Sequence, residues 1–98
     1  MAFDFPEGAK KYSQSPVFTQ DTIPAALQRD HSTKASVWGL IVVSEGALLY
    51  TRTGHSTEEI AAGEVATIYP KEQHHVAASG SVKFQVEFYR IPQREAAS

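Results

Sequence analysis

The histidines of this chain are the side chains whose type and spacing could support chemistry. The 98-residue sequence holds four of them and no cysteine, so a metal site here would have to use imidazole and carboxylate ligands. His31 follows an aspartate in a polar segment, and His74 and His75 stand together after a proline-containing loop. His55 lies in a Gly-Ser turn, which predicts an exposed side chain with no role.

A carboxylate candidate comes from the last predicted strand, Val82 to Tyr89. Its residues alternate between apolar and polar, which places Glu87 on the more polar face together with Gln85 and Tyr89. If that face points inward, Glu87 lines a pocket. If it points outward, Glu87 belongs to a solvated surface, and the alternation by itself favours neither orientation.

The strands that would position these residues are short and separated by turn signals. Stretches rich in β-branched and aromatic residues alternate with Gly, Pro and Ser clusters, which predicts an all-β sandwich or barrel. The segments 36–43 and 47–51 are predicted to form a hairpin around a Glu45-Gly46 turn. Ser79-Gly80-Ser81 is predicted to be a second turn, just before the last strand.

Composition and charge exclude several classes of function. A length of 98 residues, with 42% hydrophobic and 20% charged residues, predicts one folded domain: an N-terminal arm over 1–14, a barrel over 15–91 and a flexible tail over 92–98. The net charge is −2 and the nine Lys and Arg residues are scattered, which argues against nucleic acid and anionic membranes as partners. No segment resembles a signal peptide or a membrane span, so we expect a cytoplasmic protein.

The segment from Gly63 to His74 resembles the second sequence motif of the cupins. That motif has a glycine, a proline-containing loop and a histidine eleven positions after the glycine, and His74 follows Gly63 by this interval. The first cupin motif fits less well. Its usual His-x-His and glutamate ligands would fall near Ser32, Lys34 and Gly39, none of which can take that role.

A closer resemblance, covering about Ser15 to Arg90, is to the tellurite-resistance-protein-B/YeaR-like family of cupin-type domains. It implies a small single-domain cupin, built as a double-stranded β-helix or jelly-roll barrel, whose pocket holds a divalent metal. Some members continue into a methyltransferase domain, but this sequence has no Gly-rich loop for S-adenosylmethionine, so that activity is not carried over. The residues that carry the resemblance are Ser15-Pro16-Val17-Phe18, Asp21-Thr22-Ile23-Pro24, His31-Ser32-Thr33-Lys34, Val37-Trp38-Gly39, Glu45-Gly46, Tyr69-Pro70, His74-His75 and Val86-Glu87-Phe88-Tyr89-Arg90.

The resemblance places His74 at a metal-ligand position and implies that the remaining ligands come from outside the usual cupin positions. We predict His31, His74 and Glu87 as the ligand set, since two imidazoles and one carboxylate suit a divalent Zn, Fe, Ni or Mn ion with open coordination positions. The alternatives are that His31 is an ordinary loop histidine and that His74 hydrogen-bonds within its loop. His75 points the other way on an extended chain and is predicted to be structural.

A ligand pocket beside the metal would use three further residues. Arg29 and Lys34 could hold a small-molecule or anionic ligand, or they could be solvated surface charges. Trp38, like Tyr50, is predicted to belong to the pocket wall or to the core.

Three hypotheses of function follow from these residues. The first is metal binding by a small cupin domain in a tellurite, oxyanion or related stress response. The second is a metal-dependent, oxygenase-like enzyme that acts on an unknown small molecule. The third is a metal-free module that binds a small molecule or forms a homodimer through a barrel edge, because exposed edge strands need covering.

Overall fold

The computed structural model describes residues 8–29, 32–33 and 36–90, which form an antiparallel β-structure. The helical part of these residues is one 3-10 helix, Ala25–Gln28, and no helix among them is long and apolar enough to cross a membrane. This architecture confirms the prediction of a small all-β domain. The strands are β1 (Lys10–Gln14), β2 (Phe18–Thr19), β3 (Val37–Arg52), β4 (Glu58–Ala61), β5 (Val65–Ile68) and β6 (His74–Arg90).

Two long strands, β3 and β6, form the frame of the sheet. They run antiparallel from the pair Val37 and Arg90 to the pair Arg52 and His74. The other edge of β3 pairs with β5 along its first half and with β4 along its second half. The other edge of β6 pairs with β2 and with β1, which lies in the predicted N-terminal arm and has all its residues exposed. Both long strands therefore lie in the interior of the sheet, where β-branched and aromatic residues are favoured.

The predicted hairpin around Glu45-Gly46 is wrong, because β3 continues through these residues. The turn predicted at 79–81 is wrong for the same reason, since β6 continues through it. Gly46 pairs with Val82 and Leu48 pairs with Ala78, so three residues of β6, 79–81, lie opposite the single Ala47 of β3. The pairing register therefore shifts here through a β-bulge. Gly46 and Gly80 take positive φ angles of 72° and 80° there. These glycines let the paired strands bend without reversing direction.

The core lies on one face of this sheet. Ile41, Leu48 and Phe84 are 1% exposed or less, and they pack in one cluster with other buried apolar residues such as Val43 and Val82. The last strand alternates as predicted, since Phe84 and Val86 are buried and the intervening Gln85 is more exposed. The polar face of β6 therefore points away from the core.

Candidate ligand cavity

A cavity of about 260 Å³ lies against the inner face of the sheet. Residues of β3, β5 and β6 form its floor, and the segment between β1 and β3 forms its cover. The volume is far larger than the voids that a packed protein core normally leaves. The lining residues are Ser15, Phe18, Pro24, Ala26, Leu27, Thr33, Ile41, Ile68, His74, Val76, Phe84, Val86 and Phe88.

Ser15 anchors the beginning of the cover to β6. Its amide donates to the Val86 carbonyl at 2.8 Å, and its hydroxyl accepts from the Val86 amide at 3.0 Å. Ser15 therefore acts as the hydrogen-bonding partner that a neighbouring strand would otherwise supply. Three residues later the Phe18 ring packs on the Phe84 ring, with centroids 5.6 Å apart, which closes this side of the cavity.

The 3-10 helix forms another part of the cover. Pro24 precedes it with an extended backbone, and the Leu27 amide donates to the Pro24 carbonyl at 2.9 Å. The Gln28 side chain ties the helix back through a 3.0 Å hydrogen bond from Nε2 to the Ile23 carbonyl. Leu27 is half-buried in the cavity wall, whereas Pro24 and Ala26 also line the cavity but are exposed. The cavity therefore opens to solvent beside this helix.

The wall of the cavity is almost entirely apolar. Among the lining residues just named, the polar side chains are Ser15, Thr33 and His74. The two hydroxyls are already used locally, because Ser15 Oγ donates to the Pro16 carbonyl at 2.8 Å and Thr33 Oγ1 donates to the Val37 carbonyl at 2.8 Å. A bound molecule would therefore meet an apolar surface that contains an imidazole.

His74 is the first residue of β6 and is buried, with 2% of its surface exposed. Its Nδ1 lies 3.0 Å from the Glu72 carbonyl oxygen. A carbonyl oxygen can only accept, so Nδ1 carries the proton, and in the neutral ring Nε2 carries the acceptor lone pair. The Tyr50 ring packs against the imidazole, with centroids 5.9 Å apart. The next residue, His75, is half-buried and points to the other side of β6.

The loop before His74 is held by an ion pair from the neighbouring strand. Arg52 stands opposite His74 in the ladder of β3 and β6, and its Nε and Nη2 donate to the two Glu72 carboxylate oxygens at 2.8 and 3.0 Å. The guanidinium also lies over the Tyr69 ring, 4.9 Å from its centroid. The hydrogen bonds from Arg52 lower the pKa of the Glu72 carboxyl below its ordinary value. Because Glu72 supplies the carbonyl that His74 contacts, this ion pair also orients the imidazole.

Removing the Glu72 charge with Glu72→Gln should destabilise the fold by about 1 kcal/mol near pH 7 and by less in acid. A carboxyl group whose pKa is lowered by folding adds stability above its ordinary value of 4.5, and that stability is lost as the pH falls through the lower value of the folded state. Urea unfolding of both proteins near pH 7 and near pH 3 measures the effect. Glu58→Gln, at an exposed position of β4, is the matched control. An equal loss at both pH values would contradict an ionic role for Glu72.

Tyr50 supports the imidazole of His74 from within β3. Its hydroxyl donates to the Thr67 carbonyl of β5 at 3.1 Å. Burial raises the pKa of the Tyr50 phenol well above its usual value, and the nearby Glu72 carboxylate adds to this increase. The phenol therefore stays protonated and acts as a fixed hydrogen-bond donor rather than as an acid or base.

The structure does not bring Glu87 to the cavity. Val86 and Phe88 line the cavity, so Glu87 between them lies on the opposite face of β6. There its carboxylate accepts from the Tyr89 hydroxyl at 2.9 Å and pairs with Lys11 at 3.4 Å. Burial, together with the Glu87 carboxylate, raises the pKa of Tyr89. The alternation of the sequence allowed the Glu87 side chain to point either into a pocket or toward the outer surface, and the structure shows the second orientation.

The other predicted site residues that the structure describes, Trp38 and Arg29, do not line the cavity. Trp38 lies half-buried on the outer face of β3, with its ring centroid 5.4 Å from that of Tyr69, and does not line the cavity. Arg29 is exposed directly after the 3-10 helix. His31 and Lys34 lie outside the described residues. Over 8–29, 32–33 and 36–90, no three His, Cys, Asp or Glu side chains converge to hold a metal ion.

Tyr50 belongs to the core, as predicted, since it is 2% exposed and continues the buried alternation of β3 two residues after Leu48. Sequence analysis missed Arg52 and Glu72. Arg52 and Glu72 leave no signal in the sequence, since 20 positions separate them. They meet only because the register of the sheet places Arg52 beside the loop that precedes β6.

Comparison with known proteins relates this fold to a family. Residues 13–86 match the family model described as the TehB-like domain. Over 85 residues the chain is 29% identical to a Haemophilus influenzae protein named probable S-adenosyl-L-methionine-dependent methyltransferase TehB, a match that covers 80% of this chain and 30% of the relative. The chain thus spans less than a third of the length of the TehB relatives that it matches.

Solved structures share the fold. A protein from E. coli strain K12 superposes with a TM-score of 0.84 at 23% identity, covering 95% of this chain and 92% of that one. The crystal structure of TehB from Haemophilus influenzae superposes with a TM-score of 0.77 at 27% identity, covering 87% and 32%. A cupin protein from Bacteroides fragilis superposes with a TM-score of 0.51 at 19% identity, covering 85% and 60%. The prediction of a cupin-like architecture is therefore confirmed at the level of the fold.

Proposed function

This chain belongs to the TehB-like domain family, and we propose that its barrel binds a small organic molecule in the cavity that His74 lines. The observation that carries the proposal is the cavity: about 260 Å³, apolar, open beside the 3-10 helix and with a buried imidazole in its wall. An apolar cavity with a few polar groups is the usual form of a small-molecule site. Keeping it costs the core packing energy, which a bound ligand would restore.

The proposal gives the domain a binding role. The TehB relatives are named as probable methyltransferases, but the match covers 30% of their length. We therefore do not assign methyl transfer to this chain.

Metal binding, with an oxygenase-like enzyme or an oxyanion stress response built on it, is the second proposal. One observation favours it: a histidine that donates Nδ1–H to a main-chain carbonyl is oriented as metal-binding histidines commonly are. The residues described here do not complete such a site, because Glu87 faces away and no three-ligand group is present among them. A metal site would need His31, so metal binding ranks below the binding of an organic ligand.

Filling the cavity should abolish ligand binding. Val86→Phe adds a ring inside the cavity, whereas Val42→Phe makes the same change at a half-buried position on the outer face of β3. A thermal-shift screen with small aromatic molecules should raise the melting temperature of the wild type and of Val42→Phe. The shift should be absent in Val86→Phe, because the added ring occupies the binding volume, and a chelator should leave the wild-type response unchanged.

A second cavity-filling variant separates loss of binding from loss of folding. Leu27→Phe narrows the cavity from the 3-10 helix, outside the ladder of β3 and β6, and should also suppress the shift. A response that disappears with chelator would favour the metal-binding proposal. A response that both cavity-filling variants retain would contradict binding in this cavity.

A further inference from the structure

We infer that the first part of the cover, the segment 15–22, is a lid that opens away from β6 while the rest of the sheet stays folded, and that a ligand enters the cavity through it. We call this segment the strap. The entry of a ligand rests on the proposed function, whereas the opening of the strap does not. The place of the strap over the cavity, its bonds to β6 and its exposure carry the inference.

The strap closes one side of the cavity. Ser15 and Phe18 line the cavity, and the Phe18 ring packs on the Phe84 ring of β6 with centroids 5.6 Å apart. Lifting the strap from β6 separates these two rings and opens the cavity along the edge of the strand. The departing Phe18 ring clears a space of its own size, which suits the entry of a molecule with one aromatic ring.

The main-chain pairing between the strap and β6 is short. It consists of strand β2, in which Phe18 pairs with Phe84 and Thr19 pairs with Lys83. On the other edge of β6, the pairing with β3 extends over nearly the whole strand. A strand of two residues is shorter than a stable strand normally is. The strap can therefore leave β6 without disturbing the ladder of β3 and β6.

Side chains extend this short pairing at both of its ends. The Ser15 hydroxyl accepts from the Val86 amide at 3.0 Å, and the Gln20 Oε1 accepts from the Val82 amide at 3.1 Å. The Ser15 main chain adds two bonds, since its amide donates to the Val86 carbonyl at 2.8 Å and its carbonyl accepts from the Gln85 Nε2 at 3.1 Å. Water replaces such bonds when the strap lifts, so each one opposes the opening only weakly.

The strap is exposed and bonded within itself, so it can move as one body. Of residues 15–22, all of which the structure describes, none is buried. The Thr22 amide donates to the Thr19 carbonyl at 3.0 Å, and the Thr19 amide donates to the Thr22 Oγ1 at 2.8 Å. The chain is fixed again at Ile23, which is buried in the core and holds the 3-10 helix through Gln28. A segment with few buried contacts opens at a lower free energy than the core, which makes the strap the freer part of the cover.

Hydrogen exchange tests the opening of the strap without a ligand. Successive amides of a strand point to opposite edges, so the Val82 and Val86 amides face the strap and the Gln85 amide faces β3. Near pH 7 we expect Val82 and Val86 to exchange at least about 100-fold faster than Gln85, after correction for intrinsic rates. Gln20→Ala should speed both amides by about a further 3- to 10-fold. Gln14→Ala, the same truncation at an exposed position just before the strap, should leave them unchanged.

Equal exchange rates at the strap-facing amides and at the Gln85 amide would overturn the inference, because the strap would then open only when the whole domain unfolds.

A reversible crosslink tests whether the ligand enters through the strap. Because the Thr19 amide donates to Thr22, Thr19 and Lys83 form a pair without mutual hydrogen bonds. The Cα atoms of such a pair are about 4.5 Å apart, which a disulfide can span. The sequence has no cysteine, so Thr19→Cys combined with Lys83→Cys allows one disulfide. Both side chains alternate with the Phe18 and Phe84 rings and lie on the face away from the cavity, so the lock leaves the cavity wall unchanged.

Toluene is the probe, and NMR of the Ile41 and Val76 methyl groups in the cavity wall follows its binding and release. We expect the oxidised double variant to bind and release toluene at least about tenfold more slowly than the reduced form, with little change in Kd. Equal rates in the two forms would overturn entry through the strap and favour the opening beside the 3-10 helix. If toluene shifts these signals in neither form, the proposed binding function fails, whereas the exchange of Val82 and Val86 still decides whether the strap opens.

Discussion

Gly46→Ala should lower the free energy of unfolding by about 2–5 kcal/mol, even though it adds a single methyl group. The residue has a φ angle of 72°, a left-handed conformation that costs an alanine about 1–2 kcal/mol. A Cβ atom at this position would also collide with the carbonyl oxygen of Ser81 in the facing strand. The added Cβ atom is fixed by the backbone of β3, and the Ser81 oxygen belongs to the backbone of β6. The collision can therefore be relieved only if the two paired strands move apart, at a further cost of about 1–3 kcal/mol.

Gly63→Ala is the matched control for this prediction. Gly63 also has a positive φ angle, of 88°, but no atom lies within 4 Å of the position that its Cβ would take. Its substitution should therefore carry the conformational cost alone, about 1–2 kcal/mol. Chemical denaturation of the three proteins measures both effects. Equal losses in the two variants would contradict the close packing of β3 against β6 at the bulge.

Phe84→Ala should be among the most damaging substitutions in the core, lowering the free energy of unfolding by about 3–5 kcal/mol. Phe84 is 1% exposed, packs on the Phe18 ring of the cover and lines the ligand cavity. Its removal would merge the vacated volume with the cavity, so the lost contacts would not be regained by collapse. For a domain of this size the melting temperature should fall by roughly 12–40 °C, which calorimetry can follow.

Phe88→Ala makes the same truncation four residues further along β6. Phe88 also lines the cavity but is only half-buried, so its loss should be clearly smaller. Toluene should also raise the melting temperature of Phe84→Ala more than that of the wild type, because the enlarged cavity offers more apolar surface for a ligand to bury. If Phe84→Ala costs no more than Phe88→Ala, then Phe84 is not the centre of the packing between sheet and cover.

The sheet and its cover maintain the cavity together. The bulge at Gly46 interrupts the regular ladder of the long strands, and Phe84 lies between Val82 and Val86 in the row of buried apolar residues on the inner face of β6. The cover then has to be held over that face. Ser15 does this with its amide, which donates to the Val86 carbonyl, and with its hydroxyl, which accepts from the Val86 amide. A ligand site in this domain is therefore a property of the sheet and the cover jointly.

The features that the sequence by itself determined are those with a local cause. Alternation of side chains along an extended chain depends on neighbouring residues only, so the inward Phe84 and Val86 and the outward Gln85 could be read directly. The all-β character follows from the same periodicity and from turn residues. The opposite orientations of His74 and His75 follow from it too.

Other features were decided by the tertiary structure, because they depend on which strand faces which. Glu45-Gly46 looks like a turn, and only its pairing with the irregular segment 79–81 makes it a bulge within a continuous strand. The direction of Glu87 depended on which face of β6 meets the cover, a choice that alternation leaves open. Arg52 meets Glu72 through the register of the sheet. Of the predicted metal ligands, His74 lies in the wall of an apolar cavity and Glu87 faces the other side of β6, because burial and register, rather than residue type, decide which side chains share a space.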